Sequence, residues 1–157
     1  EDAGDYISYS DDALTNLGQQ GDLKALNVLT ERMFHRGDLS GAARFANVAV
    51  IFGSTYALDI IWRLVGPSFT SKENAHEALL ESFAVIKVME MRGDLDLADG
   101  TRRELAIGNQ VNLNLKPEEK ALIDNRADQI YLNYQAIRTA KGLGDFDNTP
   151  SPFAKAR

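Results

Sequence analysis

Few residues in this sequence stand at spacings that would support catalysis or metal binding. His76-Glu77 matches the start of the HExxH zinc-protease signature, but Leu80 stands where the second histidine would be. A catalytic zinc needs about three protein ligands, and His35 is the only other histidine in the sequence. The sequence contains no cysteine, which excludes thiolate ligands, thiolate nucleophiles and disulfides. We therefore predict no metal site.

Glu118-Glu119 is a carboxylate pair of the kind used in general acid–base catalysis. The pair follows Pro117, and proline is common at the first position of a helix. Acidic residues are expected in a first helical turn because they interact favourably with the helix dipole. No glycine-rich run has the spacing and lysine of a phosphate-binding loop. The sequence therefore predicts no catalytic residue and no cofactor, and we expect a protein that is not an enzyme.

The adhesion tripeptide Arg-Gly-Asp occurs twice, at residues 36–38 and 92–94, and leucine follows each copy. Both copies stand where one predicted helix ends and another begins. There, arginine favours the C-terminal dipole, glycine allows a left-handed turn, and aspartate caps the following helix. A third Gly-Asp-Leu stands at residues 21–23. We interpret all three as turns between helices.

A repeat of about 32 residues occupies the first half of the sequence. Gly21 and Gly53 each open a run in which one alanine and two apolar residues fall in register, and residues 39–52 form a helical run between them. Such a period indicates stacked helix pairs, because one pair cannot bury its apolar face alone. We predict an all-α fold, a short α-solenoid of antiparallel helix pairs closed by a long C-terminal capping helix.

Apolar spacings of three and four residues, with start and stop signals, predict most helix bounds. The predicted ranges are 11–18, 22–36, 39–52, 55–65 and 117–141. Thr70 and Glu73 predict a capping box at the start of a further helix that ends at Arg92. Another helix should follow, and Thr101 with Glu104 would restart it in a second capping box.

The predicted domain organisation has three parts. Residues 1–10 are an acidic N-terminal arm, residues 11–141 form one helical-repeat domain, and residues 142–157 form an extended or disordered tail. The tail carries two glycines and two prolines and shows no apolar periodicity. We therefore expect the tail to bury little surface.

Composition and charge exclude several classes of partner. The net charge is −6, and residues 1–20 hold five acidic residues with no Lys or Arg. A basic stripe that would bind phosphates is missing, so we predict no nucleic-acid binding. No run of about 18 apolar residues is present, so we predict no membrane insertion. The sequence opens with Glu1 rather than Met, which suggests a periplasmic protein whose signal peptide has been removed; a cytoplasmic protein is the alternative.

A family resemblance rests on six residues of the first half of the chain: Ala42, Ala43, Phe45, Ala49, Gly53 and Ala57. They form an alanine pair, an aromatic residue, and then an alanine, a glycine and another alanine. This pattern resembles the Sel-like repeat, the mainly bacterial variant of the tetratricopeptide repeat. The match covers residues 21–65 and extends faintly over residues 75–98. The family usually has glycine at two helix crossings where this chain has Thr30 and Trp62.

The resemblance implies a non-enzymatic bacterial module that binds another protein, and it leaves the oligomeric state open. The more specific hypothesis is a periplasmic immunity or inhibitory protein that blocks a partner such as a secreted toxin. The alternatives are a scaffold or regulator in envelope signalling or assembly and, from a different class, a small helical hydrolase.

The resemblance also implies a binding groove on the first helix of each pair. The residues predicted to bind a partner there are Lys24, Asn27, Glu31, His35, Tyr56, Asp59 and Arg63. Mixed charge with a tyrosine is common in protein-binding surfaces, although a plain solvated face would look similar. The last three residues should share one exposed face of a helix, because they stand three and four positions apart.

Overall fold

The computed structural model describes residues 3–109 and 115–150, and within them all regular secondary structure is helical. This confirms the predicted all-α class. The α-helices are α1 (Asp11–Gln19), α2 (Leu23–His35), α3 (Leu39–Phe52), α4 (Ala57–Val65), α5 (Ala75–Met91), α6 (Leu95–Asn109) and α7 (Pro117–Ala140), and 3-10 helices cover Ala3–Ser8, Pro67–Phe69 and Lys72–Asn74. The chain divides into two compact units, Glu1–Ile61 and Trp62–Arg157, with the boundary inside α4.

The three Gly-Asp-Leu sequences join consecutive helices in the same way. The glycine of each has a φ between 79° and 89°, in the left-handed region that glycine enters at little cost. The carboxylates of Asp22, Asp38 and Asp94 each accept a hydrogen bond from the backbone N–H three residues later, at 3.1, 2.8 and 3.2 Å. Each aspartate therefore caps the following helix. This confirms that both Arg-Gly-Asp tripeptides are turns between helices.

In the first unit, α2 packs on α1 and α3. The core consists of apolar side chains from these helices, among them Leu14, Leu26, Leu29, Phe45, Ala46 and Val50. Thr30 is also buried, and its hydroxyl donates a hydrogen bond to the carbonyl oxygen of Leu26 at 2.8 Å. The hydroxyl is thus satisfied within its own helix, which allows a polar residue at this buried position.

The segment before α1, predicted as an acidic arm, is bonded to α2. The guanidinium of Arg32 donates hydrogen bonds to the carbonyl oxygen of Ile7 at 2.6 Å and to the carboxylate of Asp11 at 2.8 Å. The hydroxyl of Tyr6 donates to the carboxylate of Asp22 at 2.8 Å. Asp22 therefore caps α2 and also holds the segment that precedes α1.

In the second unit, α5 packs on α6 and α7. The middle of α5 is apolar around most of its circumference, with Phe83, Ala84, Val85, Ile86, Val88 and Met89 all buried. A helix that is apolar on most sides is stable only when other elements cover it. Leu105 of α6 and Ile123 and Ala127 of α7 are among the buried residues of those elements. Trp62 is 6% exposed and belongs to the core, as residues of its type usually do.

The predicted capping box of Thr70 and Glu73 is wrong. Thr70 follows a 3-10 turn, where its hydroxyl donates to the carbonyl oxygen of Gly66 at 3.1 Å. A second 3-10 turn intervenes, and α5 begins after Asn74. The local Thr–Glu spacing was present, but the chain between Gly66 and Asn74 forms two tight turns instead of one cap.

The predicted restart of the sixth helix at Thr101 is also wrong. α6 runs without a break across Gly100, and Thr101 is a buried residue within it. Asp94 already caps this helix. A glycine inside a helix costs only about 1 kcal/mol, which the burial of Ala98 and Leu105 outweighs.

The tail was predicted to be extended or disordered. Residues 145–150 have no helix or strand, and residues 151–157 lie outside the described part of the chain. Phe146 is only 8% exposed, so the expectation that the tail buries little surface is wrong at this residue. The guanidinium groups of Arg92 and Arg138 lie over its ring, with their Cζ atoms 3.7 and 4.5 Å from the ring centroid. Periodicity gave no sign of this contact, because it depends on two arginines that are distant in sequence.

A first prediction concerns Gly41, which lies inside α3, where alanine is normally the better residue. A Cβ atom at Gly41 would clash with the carboxylate of Asp38, whereas one at Gly100 of α6 would meet nothing within 4 Å. We expect Gly100→Ala to raise the free energy of unfolding by about 1 kcal/mol. At Gly41 the loss of the Asp38 cap, about 1 kcal/mol, should cancel that gain. Urea unfolding of both variants tests this, and an equal gain at both positions would contradict it.

A second prediction compares Gly37 and Gly93, which stand in the same Arg-Gly-Asp-Leu sequence with φ of 79° and 80°. A Cβ atom at Gly37 would meet nothing within 4 Å, but at Gly93 it would lie 2.6 Å from the carbonyl oxygen of Asn148. Gly37→Ala should cost about 1–2 kcal/mol, the cost of left-handed backbone. Gly93→Ala should cost more, because it also displaces the tail. Urea unfolding measures both, and equal losses would show that the tail does not press on this turn.

A third prediction concerns pH. Hydrogen bonds from Arg32, which has the larger effect, and from Arg36 lower the pKa of Asp11 below its ordinary value of 3.8. The unfolded chain keeps the ordinary value, so Asp11 stabilises the fold above about pH 4 and this contribution is lost as the pH falls through the lowered folded-state pKa. Asp11→Asn should therefore reduce stability at pH 7 and flatten the decline of stability below pH 4, measured by thermal melts. Asp12→Asn removes an equal charge from an exposed neighbour, and identical curves for the two variants would contradict the prediction.

Candidate protein-binding surface

One face of α2 carries four of the residues predicted to bind a partner. Lys24, Asn27, Glu31 and His35 stand three and four positions apart, so they share a side of the helix. Their side chains range from half-buried to exposed. We call these four residues the α2 polar face.

Two hydrogen bonds join the α2 polar face to the chain between α3 and α4. The hydroxyl of Ser54 donates to the side-chain oxygen of Asn27 at 3.0 Å and accepts from the backbone N–H of Ala57 at 3.1 Å. The hydroxyl of Tyr56 donates to the carboxylate of Glu31. The start of α4 is thus held directly on α2, which fixes the position of Tyr56.

Tyr56 was predicted to lie within the fourth helix, but α4 begins one residue later, at Ala57. The Tyr56 side chain is 45% exposed although its hydroxyl is bonded. Asp59 follows in the first turn of α4 and is half-buried. The first unit therefore presents an aromatic ring beside a polar helix face.

Arg63, the seventh predicted residue, belongs to the second unit. Its guanidinium donates two hydrogen bonds to the carboxylate of Glu104 in α6, one of them at 2.7 Å. Its Cζ atom also lies 4.8 Å from the centroid of the Trp62 ring. These contacts give Arg63 a structural role inside its own unit.

Sequence reasoning missed a cavity of about 270 Å³ in the first unit. Its lining comes from α1, α2 and α3 and consists of Thr15, Gly18, Gln19, Leu26, Arg44, Phe45 and Val48. The guanidinium of Arg44 lies 4.7 Å from the centroid of the Phe45 ring. The adjacent Arg-Phe pair was the one available signal, but the cavity depends on how three helices pack.

A second cavity, of about 320 Å³, lies in the second unit. Its lining combines apolar and charged side chains, namely Phe83, Lys87, Glu90, Arg102, Leu115, Lys120, Ile123 and Asp124. Glu90 forms ion pairs with Arg102 and, at 3.1 Å, with Lys87. Much of the charge is therefore neutralised within the lining itself.

The residues first considered for catalysis have structural partners. Glu119 accepts a hydrogen bond from the backbone N–H of Lys116 at 2.9 Å, and its carboxylate lies 3.0 Å from Nε2 of His76. Glu119 therefore caps α7, which agrees with the structural interpretation of the carboxylate pair. Within the described ranges, no three His, Cys, Asp or Glu side chains are grouped so that they could hold a metal ion. No helix in those ranges has the length and apolar character needed to cross a bilayer.

Comparison with known proteins identifies no relative of this chain. No family model matches the chain, and neither a curated protein nor a solved structure matches it. The resemblance to Sel-like repeats over residues 21–65 therefore stays a prediction that rests on its motif residues.

Proposed function

We propose that this protein is a non-enzymatic bacterial module that binds another protein, built as a short α-solenoid of antiparallel helix pairs with α7 as its cap. The supporting observation is Tyr56, an exposed ring whose hydroxyl is held by Glu31. Tyrosine is among the residue types enriched at binding hot spots. A side chain that is already oriented loses less entropy on binding, which leaves more of the contact energy as affinity.

The surroundings of Tyr56 suit a binding surface. The α2 polar face supplies one cation, one anion, an amide and an imidazole, and Asp59 adds a second anion. Interfaces commonly place an aromatic contact inside such a polar rim. The rim excludes water from the contact and favours one orientation of the partner.

The charge of the first unit indicates the chemistry of the partner. Residues 1–61 contain nine acidic and four basic residues. Complementary charge accelerates association and selects against partners of like charge. We therefore propose a partner with a basic surface. A periplasmic immunity or inhibitory protein that covers the active site of a secreted toxin is the specific form of this proposal.

The experiment starts with the full chain as bait in a pull-down from the native organism, followed by a binding titration with the captured protein. Tyr56→Ala should weaken binding by about thirty-fold, the effect of losing about 2 kcal/mol at a hot spot. The free energy of unfolding should fall by no more than about 1.5 kcal/mol, because the variant also loses the hydrogen bond to Glu31, so the protein should stay folded. Wild-type affinity in Tyr56→Ala would overturn the proposed surface.

Two further variants make the titration specific. Leu132→Ala removes a side chain that is 63% exposed on α7 of the second unit, and binding should be unchanged. Tyr56→Phe keeps the ring but removes the hydrogen bond to Glu31, so it should fall between the wild type and Tyr56→Ala. Arg63→Ala is unsuitable for this purpose, because it breaks the ion pair with Glu104.

A further inference from the structure

The C-terminal segment, residues 143–150, lies in a groove of the second unit. Tyr131, Gln135 and Arg138 of α7 form one side of the groove, and Arg92 with Gly93 forms the other. We call these five residues the tail groove. The segment contacts the tail groove through its own backbone, through the ring of Phe146 and through the side-chain amide of Asn148.

The backbone of the segment is bonded by two side chains of α7. Arg138 donates to the carbonyl oxygens of Leu143 and Gly144, both at 3.1 Å. The side-chain oxygen of Gln135 accepts from the N–H of Phe146 at 3.1 Å, and its nitrogen donates to the carbonyl of Gly144 at 3.2 Å. Leu143 and Gly144 belong to the turn that ends α7, in which Gly142 and Gly144 both have a φ of 70°. From Phe146 onward the chain has no helix or turn, so a separate peptide on the same path could make the backbone bond to Gln135 there.

The ring of Phe146 supplies the aromatic contact. Arg92 and Arg138 lie over it, and the ring of Tyr131 is tilted against it with centroids 5.6 Å apart. Cation–π contacts gain strength when the groups are removed from water, and Arg92 is only 5% exposed. This position therefore selects an aromatic side chain.

Asn148 supplies the amide contact. Its side-chain oxygen accepts from Nε of Arg92 at 3.0 Å, and its side-chain nitrogen donates to the hydroxyl of Tyr131 at 2.7 Å. Both hydrogen-bonding ends of the amide are thus used. The backbone of Asn148 passes so close to Gly93 that a Cβ there would clash with it.

The charge of the groove favours an acidic peptide. Burial lowers the pKa of Arg92 to about 10, with Arg138 nearby as a like charge. Asp145 and Asp147 flank Phe146 in the sequence. Hydrogen bonds from Thr149 lower the pKa of Asp147, and the charge of Arg92 acts in the same direction. Asp94 also acts on Arg92 as an opposite charge, and acidic residues next to the ring add to this compensation of two partly desolvated cations.

We propose that the tail groove is a peptide-binding site that the chain's own tail occupies in cis. Its ligand is an extended segment of a partner protein in which acidic residues flank a phenylalanine and an asparagine stands two positions after it. Such a ligand must displace the tail. Its apparent affinity is therefore its intrinsic affinity multiplied by the fraction of molecules whose groove is open.

The test uses the full chain carrying Phe146→Ala and a synthetic peptide with the sequence of residues 145–150. Calorimetric titration should show at least about ten-fold tighter binding to Phe146→Ala than to the wild type, because the mutated tail no longer fills the ring position. A peptide with alanine in place of its phenylalanine should not bind. No binding by folded Phe146→Ala, or equal binding of both peptides, would overturn the proposal.

Two further variants locate the site. Adding Gly93→Ala to Phe146→Ala should abolish peptide binding, because the Cβ atom blocks the path of the peptide backbone. Adding Gly37→Ala, in the same tetrapeptide of the first unit, should leave binding intact. If Phe146→Ala does not fold by circular dichroism, Phe146→Leu replaces it, because it keeps an apolar side chain at this buried position but removes the ring that Arg92 and Arg138 contact. Peptide binding that survives Gly93→Ala would place the site elsewhere.

Discussion

The turn formed by Gly-Asp-Leu is the constraint on which both units depend. A left-handed glycine ends one helix, and the carboxylate of the next residue satisfies a backbone N–H group that opens the following helix. The turn at residues 21–23 joins α1 to α2, the turn at 37–39 joins α2 to α3, and the turn at 93–95 joins α5 to α6. These aspartates therefore fix where α2, α3 and α6 begin.

The two Arg-Gly-Asp-Leu copies show how one local sequence serves two environments. In the first unit the arginine, Arg36, forms an ion pair with Asp11 of α1. In the second unit the corresponding arginine, Arg92, is buried against Phe146. The backbone of the turn is the same in both places, and the difference lies in what packs on it. The Arg-Gly-Asp tripeptide therefore has the same structural role in both units, and its arginine contacts a different residue in each.

Local signals predicted the fold better than they predicted the surface. The bounds of α3 were predicted without error and the end of α7 to within one residue, because caps and apolar spacing act over a few positions. The capping boxes at Thr70 and Thr101 failed because neighbouring turns and an upstream cap decided where those helices start. Of the candidate surface, spacing placed four residues on one side of α2. It could not show that Tyr56 bonds Glu31 or that Phe146 is buried, since both depend on residues distant in sequence.

The position of Trp62 allows the two units to be followed separately in solution. It is the only tryptophan in the chain, it is 6% exposed, and it belongs to the second unit. Fluorescence excited at a wavelength that only tryptophan absorbs therefore reports loss of structure around this ring, whereas far-ultraviolet circular dichroism sums the helices of both units. Coincident transitions from the two signals would mean that the units unfold as one cooperative body, and separated transitions would give each unit its own stability.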